Sequence, residues 1–226
     1  MKAVVLAAGE GTRLRPLTRT RPKPMLPIGN QPLLEHVLEA AREAGIDEFV
    51  FVAGYKRERI QNHFGDGDDW DVDIEYAVQE TQLGTGHALL QAEQYVDGNF
   101  VAMNGDRIVE PSAISAVMDA RRETGSPTMA VTRNQNPENY GVVELDGRMV
   151  SSIEDKPPAH TIRTDYINAG VYGLGRSVFD DLRDAETDGE LALTAVLGEY
   201  RDALSAVPFA GLWLDVSYHS DILSLN

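Results

Sequence analysis

The chain of 226 residues contains no cysteine. Disulfides, thiolate zinc sites, iron–sulfur clusters and cysteine nucleophiles are therefore excluded. Positive charge is scarce: 20 Lys+Arg face 36 Asp+Glu, a formal net charge of −16, and four of the 20 are lysines. Duplex nucleic acid and anionic membrane surfaces both call for clustered cations, so neither is expected as a partner. No apolar run approaches the roughly 18 residues that span a bilayer. The apolar start, Met1–Ala8, is interrupted by Glu10, Arg13 and Arg15. It reads as a buried first strand rather than a secretory signal, and a cytoplasmic protein is expected. Gly-x-Ser-x-Gly and His-Glu-x-x-His are both missing, and the five histidines are scattered, which argues against the common hydrolase constellations.

With 42% hydrophobic and 25% charged residues, the composition is that of a soluble globular protein. The length suits one α/β domain over residues 1–226. Asp66, Asp68, Asp69, Asp71 and Asp73 form one of several dense acidic groups. They read as an adaptation to a salt-rich cytoplasm, where carboxylate repulsion is screened; an ordinary acidic cytosolic protein is the alternative. The charge is uneven. Residues 1–24 carry a net of +5 and the remainder −21, so a local anion site at the front of an acidic protein is expected.

Short apolar runs alternate with amphipathic stretches. Strands are expected at Lys2–Ala7, Glu48–Ala53, Ile74–Val78, Phe100–Met103 and Thr128–Thr132. Helices are expected at Pro32–Ala44, Arg57–Phe64, His87–Tyr95 and Ser112–Thr124. This order predicts a mostly parallel sheet flanked by helices. After about Asn134 the pattern changes. Tyr140–Leu145 and Arg148–Ile153, joined by Asp146-Gly147, read as a hairpin and hence a small antiparallel insertion. A strand at Asp165–Tyr172 and helices at Val178–Arg183 and Leu191–Ala203 complete the expectation.

The segment Leu6-Ala7-Ala8-Gly9-Glu10-Gly11-Thr12-Arg13 follows the first strand. Its glycines allow a sharp turn and close backbone approach to a ligand, and successive N–H groups in such a loop form an anion nest. A Rossmann fingerprint fails because Leu14 stands where the third Gly belongs, and the Gly-Lys-Ser/Thr of a Walker A loop is missing. The run continues as Gly11-Thr12-Arg13-Leu14-Arg15-Pro16-Leu17-Thr18, then Pro22-Lys23-Pro24-Met25-Leu26-Pro27-Ile28. Further along come Gln79-Glu80-Thr81-Gln82-Leu83-Gly84-Thr85-Gly86-His87-Ala88, Asn104-Gly105-Asp106, Tyr140-Gly141-Val142-Val143-Glu144, Glu154-Asp155-Lys156-Pro157, Asn168-Ala169-Gly170 and Trp213-Leu214-Asp215-Val216. Gln79 can both donate to and accept from a base edge. Asp106 and Asp215 both stand at expected strand ends. Arg offers a fork, and Lys a point charge, to a polyphosphate. His87 reads as packed or exposed rather than catalytic.

Between residue 3 and about residue 217 these motifs resemble the sugar-1-phosphate nucleotidyltransferases. That family includes the glucose-1-phosphate thymidylyl- and uridylyltransferases and the pyrophosphorylase domain of N-acetylglucosamine-1-phosphate uridylyltransferases. The resemblance implies a Rossmann-like nucleotidyltransferase fold that makes a nucleotide-sugar and pyrophosphate from UTP or dTTP and a sugar-1-phosphate, such as glucose-1-phosphate or N-acetylglucosamine-1-phosphate. It implies that Arg13 holds the β/γ phosphates and Lys23 the α-phosphate. Leu6, Ala8, Gly9, Gly11, Thr12 and Thr85 would border the nucleotide, with Gln79 and Gly84 contacting a uracil or thymine. Asp106 and Asp215 would be the ligands of a magnesium ion. On the sugar side, Gly141 would lie against the ring, Asp155 would bind hydroxyls, Lys156 would grip the phosphate and Asn168 would make a further sugar contact. Two departures stand out. Asp155 replaces a usual Glu, and Ser217-Tyr218-His219 replaces a Gly-Thr-Pro-like turn. Two alternatives stay open, a non-catalytic sensor of nucleotide or sugar phosphate and a transferase using GTP or CTP. Homo-oligomerisation is also open.

Overall fold

Val4, Val5, Phe49, Phe51, Val101 and Met103 are each at most 1% exposed. Strands buried on both faces need helices on both sides, and continuous apolar runs of this kind are the mark of parallel pairing. The computed structural model of the chain, which describes residues 1–186, 189–200, 203–219 and 221–222, follows that logic. Its strands are β1 (Lys2–Ala7), β2 (Pro27–Ile28), β3 (Gln31–Pro32), β4 (Glu48–Ala53), β5 (Asp73–Val78), β6 (Phe100–Asn104), β7 (Arg107–Val109), β8 (Thr128–Arg133), β9 (Gly141–Asp146), β10 (Met149–Asp155), β11 (Tyr166–Leu174), β12 (Ser205–Pro208) and β13 (Trp213–Asp215). The helices are α1 (Leu33–Glu43), α2 (Arg57–Phe64), α3 (Gly84–Leu90), α4 (Pro111–Thr124), α5 (Val178–Asp184) and α6 (Leu193–Gly198).

Among the described residues, nine strands form one mixed sheet in the order β5-β4-β1-β6-β11-β8-β12-β10-β9. β5, β4, β1 and β6 run parallel, whereas β11 is antiparallel to both β6 and β8. The β9–β10 hairpin, expected as a small antiparallel insertion, is antiparallel as expected. It extends the main sheet through β12, and β9 also touches β11. The pleat divides the core in two. Ala3, Val5 and Ala7 face a cluster with α1, α2 and α4; Val4 faces one with α3, α5 and α6. No helix among the described residues is long and apolar enough to cross a membrane.

The largest helical difference lies at α3, which begins at Gly84 rather than His87 and ends at Leu90, with a separate short turn at Glu93–Tyr95. Gly, Thr and Gly are poor helix formers. Here a distant segment holds the first turn in place: Leu191 donates to Leu83 O at 2.8 Å and Gly86 donates to Leu191 O at 2.8 Å. A Cβ on Gly84 (φ +94°) would lie 2.4 Å from Leu191 O. The glycine expected to admit a ligand thus admits the chain's own backbone. The helix expected over Leu191–Ala203 covers Leu193–Gly198; residues 201 and 202 of that expectation lie outside the described residues.

Candidate active site

Two cavities open on the side of the sheet where β1 and β6 end. The first, of about 290 Å³, is bordered by Leu6, Ala8 and Gly9 at the end of β1 and just past it, by Gln79 just past β5 and by Gly84 and Thr85 at the start of α3. Lys23 and Asp106 close one end of it. The second, of about 410 Å³, is bordered by Arg13, Gly141, Asp155, Lys156, Asp215 and again Asp106. Asp106 is thus the wall between them.

The basic turn reaches this wall by folding back on itself. Gly11 has φ +64°, and a Cβ there would stand 2.7 Å from the Cβ of Lys23. Only glycine lets the loop pass over the lysine so closely. Thr18 Oγ1 donates to Gly11 O at 3.0 Å and secures the crossing. Gln82, which the sequence reading passed over, pins the loop from the other side. Its Nε2 donates to Ala8 O at 2.7 Å, and its Oε1 accepts from Glu10 N at 3.2 Å.

Lys23 Nζ then lies 2.7 Å from Asp106 Oδ2, with its side chain only 12% exposed. Gly105 makes room for Asp106: its N–H donates to Leu6 O at 2.9 Å, and a Cβ there would stand 2.9 Å from the same oxygen. Asp215 arrives on β13, whose register against β7 puts Asp215 opposite Arg107. Ser217, one of the departures from the expected turn, donates from Oγ to Asp215 Oδ2 at 2.8 Å.

The two carboxylates are electrostatically unequal. Burial works against charge on Asp106, but the Lys23 ammonium and the Arg107 guanidinium outweigh it and hold the carboxyl below its ordinary range. Burial pushes Asp215 up, and the charge of Asp106 adds to this against the opposing pull of Arg107 and Lys23. The charge of Asp106 makes ionisation of Asp215 costlier, a cost that a shared cation would relieve, and magnesium commonly takes one or two protein carboxylates beside phosphate oxygens and water. The donor set therefore fits the expected ion.

Arg107 was not singled out from the sequence. Its Nη1 donates to Asn168 O at 2.9 Å, and its guanidinium lies 5.6 Å from the Trp213 ring centre. Nε lies 3.9 Å from Asp215 Oδ1 and has no hydrogen-bond partner among the described residues. The available signal was a cation directly following a candidate metal ligand in a cation-poor chain.

The remaining candidates sort clearly. Arg13 and Lys156 border the second cavity and make no ion pair among the described residues. Lys156 adopts φ +48° at the end of β10, with its N–H on Tyr140 O at 2.9 Å; left-handed backbone at a non-glycine residue recurs at ligand sites. Thr85 Oγ1 accepts from Leu193 N at 3.0 Å and so serves the packing of α6. Gly11 and Thr12 do not border either cavity. Nor does Asn168. It is 5% exposed, its Nδ2 donates to Tyr172 Oη at 2.7 Å, and its Oδ1 accepts from Gly170 N at 2.9 Å.

Comparison with known proteins bears on the family and the fold. A family model described as nucleotidyl transferase matches residues 2–226. A bifunctional protein GlmU from Methanococcus maripaludis (strain S2) is 38% identical over 232 residues, covering 100% of this chain and 54% of its own length. The low-salt glycan biosynthesis nucleotidyltransferase Agl11 of Haloferax volcanii is 35% identical, covering 100% of this chain and 65% of its own. The chain thus spans about half to two thirds of the length of these relatives. A crystal structure from Bacillus anthracis, named as a provisional glucose-1-phosphate thymidylyltransferase and bound to sucrose, superimposes with a TM-score of 0.91 at 25% identity, covering 100% of this chain and 94% of that one.

Proposed function

We propose, from the premise that the chain belongs to the nucleotidyl transferase family, that it joins UTP or dTTP to a sugar-1-phosphate in the cytoplasm and releases pyrophosphate. The observation that carries this reading is the meeting of Lys23 and Asp106, at 2.7 Å, on the wall shared by two cavities. A base and ribose fit the first, where Gln79 and the Gly84 backbone offer polar groups. The sugar phosphate fits the second, beside Lys156, Asp155 and Gly141. The polyphosphate spans the wall, within reach of Lys23 and of Arg13 at the rim.

A sugar-phosphate oxygen attacks the α-phosphorus as the bond to the pyrophosphate oxygen breaks. The nucleophile is already an anion, so no general base is required. That matches a site furnished with Lys23, Arg13, Lys156 and Arg107 rather than with a histidine base. These residues position the two anions and neutralise charge that would otherwise keep them apart. Asp106 and Asp215 would hold magnesium, which supplies further neutralisation of the phosphate oxygens. Lys23 leaves Asp106 for the α-phosphate once the triphosphate enters, because that oxygen cluster offers more charge than one carboxylate. Asn168 supports the site from behind by holding Arg107 and Tyr172 in place.

The test is pyrophosphate release with magnesium, pairing UTP, dTTP, CTP, GTP and ATP with several sugar-1-phosphates. Turnover with UTP or dTTP and glucose-1-phosphate or N-acetylglucosamine-1-phosphate is expected. No release in any pairing, with nucleotide still bound, leaves a sensor. Turnover confined to CTP or GTP overturns the pyrimidine-dione reading.

A further inference from the structure

His87 lies in the first turn of α3, half-buried, and the reaction gives it no proton to move. Its ring nevertheless closes a small network behind the first cavity. Gln79, 4% exposed just past the end of β5, directs its side-chain nitrogen at two acceptors. These are the carbonyl oxygen of Gly84 at 3.1 Å and Nδ1 of His87 at 2.9 Å. A carbonyl oxygen only accepts, so the Gln79 atom beside it is the NH2 group, and its two hydrogens are both taken. Nδ1 of His87 is then the bare nitrogen, with the ring proton on Nε2. Gln91 stands on the far side: its Nε2 donates to the His87 carbonyl at 3.0 Å and lies 3.4 Å from the ring Nε2, a longer contact that leaves the 2.9 Å contact with Gln79 to set the tautomer. The remaining polar atom of Gln79 is its Oε1, and Gln79 borders the first cavity.

We propose that His87 is a positioning residue for base selection: together with Gly84 it holds both amide hydrogens of Gln79 and so keeps the Gln79 carbonyl oxygen turned toward the cavity. This rests on the reading of that cavity as a pyrimidine triphosphate site. Uracil and thymine carry N3–H, a donor that an oxygen there accepts. Cytosine carries a bare N3, and lone pair would face lone pair. Without His87, Gly84 holds only one amide hydrogen. Turning the amide over to offer NH2 to the base, an arrangement that admits cytosine, then forfeits one hydrogen bond instead of two. Selection in this protein is thus set one layer behind the residue that touches the base.

Calorimetric titration of UTP and CTP, with magnesium and without sugar phosphate, tests this on the wild type, His87→Ala and His87→Asn. The Asn side chain places an acceptor near the former Nδ1. The expected result is a UTP-to-CTP affinity ratio that narrows about tenfold, equivalent to about 1.4 kcal/mol, in His87→Ala and returns in His87→Asn. Because the ratio is internal to each protein, a lower folded fraction leaves it unmoved. A merely structural His87 would weaken both nucleotides alike, and that result overturns the proposal. So does a ratio that His87→Asn fails to restore. A wild type that prefers UTP, with an unchanged ratio in His87→Ala, overturns this inference alone. A wild type that binds neither nucleotide overturns the pyrimidine reading as well.

Discussion

Replacing Lys23 by Met removes an ion pair while keeping most of the side-chain volume, and the structure sets the size of the effect. Nζ lies 2.7 Å from Asp106 Oδ2, with the two side chains 12% and 38% exposed. A hydrogen bond between charged groups contributes about 1.5–3 kcal/mol. Partial exposure of the carboxylate reduces this toward the surface-pair range, leaving about 1–2 kcal/mol. A divalent ion held by Asp106, as proposed, would have to take it from Lys23 in the nucleotide-free protein. Lys23→Met should therefore bind Mn2+ about 5- to 30-fold more tightly without nucleotide, at about 1.4 kcal/mol per factor of ten. Electron paramagnetic resonance, which counts free Mn2+, reads this directly. Arg13→Gln removes the same unit charge from the exposed rim and controls for general electrostatics. In the transferase assay the same Lys23→Met protein should lose at least about 100-fold in turnover, the usual loss for one donor aimed at developing phosphate or oxyanion charge. Equal Mn2+ affinity in Lys23→Met and wild type would refute the competition for Asp106. An equal gain in Arg13→Gln would reduce it to net charge.

Lys156→Ala should raise the KM for the sugar phosphate about tenfold or more, as expected for one lost charge-assisted bond, and move the nucleotide KM far less; steady-state kinetics with each substrate varied separate the two. Gly84→Ala would place a Cβ 2.4 Å from Leu191 O at φ +94°. Strain of about 1–3 kcal/mol should lower the thermal midpoint by about 2–12 °C at this chain length, and an unchanged midpoint in calorimetry would contradict that packing. The acidic surface should tolerate molar KCl, with the midpoint rising or holding as salt screens the carboxylates; a steady fall would reject the salt-adapted reading. Asp215→Asn leaves Asp106 as the one carboxylate of the pair, and the magnesium concentration for half-maximal turnover should rise well above that of the wild type.

Much of the site was legible because its pieces are local. Gly11, Lys23, Gln79 and Asp106 sit in loops that follow strands, and such loops in an α/β sheet lie together at the strands' carboxyl ends. The strands β1 and β4 and the helix α2 were read with the bounds they have, since continuous apolar runs and the 3.6-residue pattern are carried within each segment. Turn chemistry at Asp146-Gly147 likewise announced the hairpin.

What the chain could not announce depends on contacts between distant segments. β12 is four residues long, carries a proline at its end and exists because β8 and β10 flank it. The start of α3 at Gly84 depends on Leu191, and the short β7–β13 pairing alone sets Arg107 beside Asp215. The inward turn of Asn168 and the hold of His87 on Gln79 are of the same kind. Residue types and spacing determined which groups this protein brings to its candidate site. Tertiary packing decided which atoms of those groups remain free there, because hydrogen bonds between distant segments consume some donors and acceptors and leave others facing the cavity.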